Sequence, residues 1–65
     1  MISIDEVYKF NNVLSMSGLS SDELPIGTFT FYGVKYQIKN ASSYYAIDTT
    51  QLYLYDEENS TWIEQ

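Results

Sequence analysis

Three consecutive carboxylates, Asp56-Glu57-Glu58, are the densest concentration of reactive groups in this chain. Paired acids at a suitable separation can serve as general acid and base at a glycosidic bond, and clustered oxygens can hold calcium. The run leads into Asn59-Ser60, a turn composition, so the acids are expected to splay into water, where nothing tunes their pKa values for catalysis. The central Gly and closing Glu of an EF-hand calcium loop are missing. The chain has no His and no Cys, and its only basic side chains are Lys9, Lys35 and Lys39. That removes the commonest general base and metal ligand and all thiolate chemistry. The expectation is a protein that is not an enzyme, with no catalytic residue, no metal site and no cofactor. Asn40-Ala41-Ser42 and Asn59-Ser60-Thr61 match the glycosylation acceptor pattern, here a coincidence of an Asn/Ser/Thr-rich composition.

Aromatic side chains are a different matter. Seven tyrosines, Trp62 and three phenylalanines are more than so small a core is expected to enclose. Tyrosine joins a large contact area to a polar tip and few rotatable bonds, which is why interfaces enrich it. Strands also favour aromatics for purely structural reasons. Because both faces of the segments around 43–47 and 52–56 carry tyrosine, Tyr44, Tyr53, Tyr55 and Trp62 are the expected protein-contact residues. Unpaired strand edges offer a second docking mode.

Sixty-five residues make a single domain. A chain of this length buries only about 60 % of its unfolded surface, and with no disulfide or metal staple, assembly with a partner or with copies of itself is the expected source of further stability. Nine carboxylates against three lysines give a net charge of -6, which excludes a basic footprint for nucleic acid and disfavours acidic lipid surfaces. No window approaches the ~20 apolar residues of a membrane helix, and no secretory-signal pattern opens the chain.

The positions of these groups depend on the elements that carry them. Residues 3–17 are ambiguous. Ser3 and Glu6 have capping-box spacing, and Ile4, Val7, Tyr8 and Leu14 fall on one side of a helix, interrupted by Asn11. Tyr8-Lys9-Phe10 would alternate acceptably as a strand, and several residues here are middling helix formers. A short helix ending by Gly18 is the preferred reading. Residues 18–27 read as a loop. From Thr28 the period becomes two: Thr28 to Phe31 and Val34 to Lys39 alternate around Tyr32-Gly33, a tight hairpin with Gly33 at positive φ. Phe29, Phe31, Val34, Tyr36 and Ile38 are expected on one side. Further strands are expected at about 43–47, 52–56 and 60–64. The predicted class is α+β, mainly β: a helical segment over 1–17, a loop over 18–27, and an antiparallel meander of about five strands over 28–65.

One stretch carries a family likeness. Ala46-Ile47-Asp48-Thr49-Thr50-Gln51-Leu52-Tyr53-Leu54-Tyr55-Asp56, about five polar residues, then Trp62-Ile63-Glu64, resembles a hairpin common in small virion proteins of tailed bacteriophages. It covers about a third of the chain, and the position of Thr50 is often Gly in that pattern. The resemblance implies a late structural role in a virion, assembled in the host cytoplasm, with capsid, head–tail connector or tail proteins, or copies of itself, as partners in an oligomeric assembly. The alternative is a small acidic inhibitor of a host nucleic-acid enzyme, of the anti-CRISPR or DNA-mimic type, in which carboxylates imitate phosphates. The acids lie in separate clusters near 5–6, 22–23 and 56–58 rather than in a row.

Overall fold

The computed structural model describes residues 1–8 and 13–65. The expected N-terminal helix is not present. Ser3–Tyr8 (β1) and Val13–Gly18 (β2) are antiparallel strands; positions 9–12, with Phe10 and Asn11-Asn12, lie outside the described residues. A β-bulge explains the misleading pattern. The register runs Ile4↔Met16 and then Glu6↔Ser15, so Asp5 is an extra residue with no partner of its own. One inserted residue inverts the alternation, and Ile4 and Val7, three apart, both pack on the core. Spacing of three is also the mark of a helix face, and here the bulge produced it. Ser3 caps nothing: its Oγ lies 3.4 Å from that of Ser17.

Thr28–Phe31 (β3), Val34–Gln37 (β4), Ser43–Ala46 (β5), Gln51–Asp56 (β6) and Thr61–Glu64 (β7) occupy the five places expected of strands. They do not form one meander. A five-stranded sheet has the order β1-β2-β5-β6-β7, and β3-β4 is a separate two-stranded sheet. The β2–β5 pair is parallel and every other pair antiparallel, so the main sheet is mixed. Parallel neighbours need a long crossover. Residues 19–42 supply it, and the β3-β4 hairpin lies within that crossover.

The hairpin turn is Tyr32-Gly33, as its composition predicts. Both residues have positive φ, 50° and 78°, between the paired Phe31 and Val34. This is the mirror-image turn that suits the twist of a hairpin. For a non-glycine residue such as Tyr32 a left-handed conformation costs about 1–2 kcal/mol. Thr50, at the position where the phage-type hairpin often has Gly, also sits at positive φ, 58°.

The core lies between the inner face of the main sheet and the crossover. Leu14 and Met16 of β2, Tyr44 and Ala46 of β5, and Tyr55 of β6 are buried with Ile38, which follows β4. Phe29, Tyr36 and Leu24 of the crossover pack against them, as do Tyr53 and Trp62. Val34 departs from the expected inward set and is exposed. Ser42 is fully buried, and its Oγ accepts the Leu14 N–H at 3.1 Å. That hydroxyl fills the gap in backbone pairing where the crossover rejoins the sheet.

Candidate functional site

Period-two geometry sends alternate side chains of each strand to opposite faces. The registers Tyr44↔Tyr53 and Tyr55↔Trp62 put all four expected contact residues on the inner face. Tyr44 is 1 % and Tyr55 4 % exposed, while Tyr53 and Trp62 are half-buried. Their rings contact one another: Tyr44–Trp62 at 6.4 Å, Tyr55–Trp62 at 4.9 Å and Tyr44–Tyr53 at 6.3 Å between centroids. The Tyr44 and Tyr55 rings are thus enclosed in the folded chain, whereas Tyr53 and Trp62 keep part of their surface exposed. The mixed aromatic composition of β5 and β6 left open which face was inward, and the crossover covers the one that holds these rings.

Three polar tips on that face perform a structural task. Tyr44 Oη donates to Leu19 O at 2.6 Å, Trp62 Nε1 donates to Pro25 O at 2.9 Å, and Tyr55 Oη accepts from Gly27 N at 2.9 Å. Adjacent strands β5, β6 and β7 thereby fasten successive points of the loop that leaves β2. A buried tyrosine or tryptophan needs such a partner, and each ring finds backbone.

The acids are similarly occupied. Asp22 Oδ2 accepts Leu19 N at 2.9 Å and lies 3.1 Å from the Met1 amino group. The Leu19 N–H, and then that amino group, hold its carboxyl below the ordinary value of 3.8. Asp48 takes the Ser20 hydroxyl at 2.6 Å and the Ser20 N–H at 2.9 Å, which depress it in the same way. Burial, followed by the negative charges of Asp22 and Asp48, raises the Tyr44 phenol above its ordinary 10.0. Asp56 closes the β6–β7 turn on Glu58 N, Asn59 N and Asn59 Nδ2. Glu57 accepts Asn40 N at 3.2 Å and pairs with Lys39 at 3.6 Å. Two of the three carboxylates singled out for chemistry, Asp56 and Glu57, thus tie turns together, and among the described residues no acidic cluster has the make-up of a metal site.

The outer face is open. It presents Val13, Ser15 and Ser17 of β2, Ser43 and Tyr45 of β5, Leu52 and Leu54 of β6, and Thr61 and Ile63 of β7. Tyr45, Leu52 and Ile63 are exposed, at 40 %, 39 % and 49 %. Tyr45 faces Leu52, and Leu54 faces Ile63, across neighbouring strands. Among the described residues paired in the sheet, the charges on this side are peripheral: Glu6 on β1 and Asp56 at the end of β6. These residues were missed because Tyr45 and Leu52 looked equivalent to their inward neighbours. The available signal was Ser15, Ser17 and Ser43 opposite Leu14, Met16 and Tyr44, which identifies the uncovered side. Sheet edges are less inviting: β1 carries the bulge with exposed Asp5 and Glu6, β4 carries Lys35, and β7 has four residues.

A separate open groove of about 480 Å³ runs along the β3-β4 hairpin, lined by Met1, Ile2, Asp22, Glu23, Phe29, Thr30, Phe31 and Tyr32. No protein-family model, no curated protein and no solved structure matches this chain.

Proposed function

We propose that this chain is a non-enzymatic structural protein of a tailed-bacteriophage virion, held to copies of itself within the head- or tail-associated assembly by the outer face of its main sheet. The observation that carries this reading is the lack of charge, among the described residues, over the middle of that face in a chain of net charge -6. A surface of serines, Tyr45, Leu52, Leu54 and Ile63 is where two acidic molecules can approach with least repulsion. Five strands ~4.8 Å apart, each about five residues long at ~3.3 Å per residue, span roughly 24 by 17 Å. Covering that area on two partners, with side-chain relief, buries about 1,000 Å², the lower bound of a specific interface. Guarded edges favour face-to-face contact over strand addition. The virion assignment rests on the resemblance of residues 46–64, which form the β6–β7 hairpin with its preceding turn.

Sedimentation velocity of the purified chain from micromolar to near-millimolar concentration tests the contact. Reversible dimers or larger species are expected, and Leu52→Glu, which charges the face without entering the core, restores the monomer. A parent that stays monomeric throughout overturns the self-assembly reading. The flanking genes test the setting: capsid and portal genes support the virion role, and early lytic genes favour the inhibitor. Against the inhibitor stands the use of Asp22, Asp48, Asp56 and Glu57 in holding loops and turns, which commits four of the nine carboxylates to structural work.

A further inference from the structure

The groove beside the β3-β4 hairpin uses none of the outer-face residues and has a chemistry of its own. Its volume, about 480 Å³, falls within the range of ligand sites. Phe29 and Phe31 stack at 6.1 Å with planes 21° apart, and Tyr32 meets Phe31 edge-on at 4.4 Å, so three rings form a continuous ladder along it. Tyr32 is 90 % exposed and stands at φ 50°, a turn position that suits Asn or Gly. Its ring adds nothing to the core. Asp22 and Glu23 also line the groove. Asp22 is engaged by Leu19 and Met1, whereas Glu23 is exposed and pairs with no other described residue.

The geometry points to a binding site for a basic side chain, arginine before lysine, presented by a partner polypeptide. A guanidinium lies against the faces of Phe31 and Tyr32, its methylene stem covers the apolar lining, and Glu23 supplies the counter-charge. The net charge of -6 draws such a partner in and turns acidic ones away. The occupant is chosen by this complementarity: an apolar residue would leave Glu23 unanswered, and an acidic one would meet it directly.

The test is a titration of the isotopically labelled chain with acetylated, amidated tripeptides, followed through its amide NMR spectrum. Gly-Arg-Gly is expected to give saturable shifts confined to Glu23, Thr30, Phe31 and Tyr32 and weakened by added salt, while Gly-Leu-Gly and Gly-Glu-Gly give none. Tyr32→Asn relaxes the turn, so its melting temperature stays level or rises, yet its affinity falls about fivefold, the equivalent of one ~1 kcal/mol cation–π contact. Glu23→Gln removes most of the salt dependence. Equal shifts from Gly-Leu-Gly, no saturable response, or unchanged affinity in Tyr32→Asn would each overturn the assignment. Sedimentation of the parent is unaffected by any of these results, so this site and the outer face are judged separately.

Discussion

Gly18 offers a sharp test of how the loop leaving β2 is held. A Cβ placed on it would lie 2.5 Å from Tyr44 Oη, 2.8 Å from Asp22 Oδ2 and 3.3 Å from Ile2 Cα. Gly18→Ala must therefore displace the Tyr44 ring, and with it the bond to Leu19 O. Overpacking in a close-packed site costs about 1–3 kcal/mol, and the lost hydrogen bond about 1 kcal/mol. Reduced freedom of the unfolded chain returns about 0.4–1 kcal/mol. The expected net loss is about 2–3 kcal/mol, against about 3–10 kcal/mol for a domain of this length. At ~4–8 °C per kcal/mol for a small domain, the melting temperature falls by about 10–20 °C. Fluorescence of Trp62, the sole tryptophan, reports the transition, because its ring lies 6.4 Å from that of Tyr44. The decisive comparison is a double-mutant cycle. In a Tyr44→Phe background the atom at 2.5 Å is gone, and Gly18→Ala should cost about 1 kcal/mol less than in the parent. A parent-background loss below ~0.5 kcal/mol, or a cost unchanged by Tyr44→Phe, would refute the account.

Two further outcomes are expected. Ser42→Ala strands the buried Leu14 N–H and should lower stability by about 1–3 kcal/mol in urea denaturation. Stability should fall at both pH extremes. Asp22 and Asp48 have folded-state pKa values below 3.8, so their contribution is present above that pH and is lost as pH falls through the folded values. Tyr44 has a folded-state pKa above 10.0, so its contribution is present below that pH and is lost as pH rises through the folded value. Melting temperature against pH checks both limbs, and Asp48→Asn should make the acid limb shallower.

Much of the strand pattern was legible because its determinants are local. Alternation from Thr28 onward, Gly33 at the hairpin turn and the polar run after Asp56 each fix a boundary without help from distant residues. The N-terminal half misled because the bulge at Asp5 shifts the phase of β1, and a phase shift in a strand leaves the same residue spacing as a helix face. Partition into two sheets was not legible at all: parallel pairing of Ser15–Gly18 with Ser43–Ala46 depends on a crossover that no short-range pattern encodes. Of the aromatic residues expected to make contacts, Tyr44 and Tyr55 are buried on the inner face and Tyr53 and Trp62 are half-buried there. Tyr44, Tyr55 and Trp62 do use their polar tips to hold another polypeptide segment, but that segment belongs to the same chain.

All three tips grip main-chain atoms, at residues 19, 25 and 27. A clasp that reads carbonyls and amides is indifferent to the side chains of the clasped residues, save at Gly27, whose φ of 78° strains any other residue. Leu19 and Pro25 are consequently free to drift, provided the loop keeps its course, whereas exchange of any of the three rings releases a whole stretch of it. Variation within this lineage should therefore collect in the strap and spare its buckles.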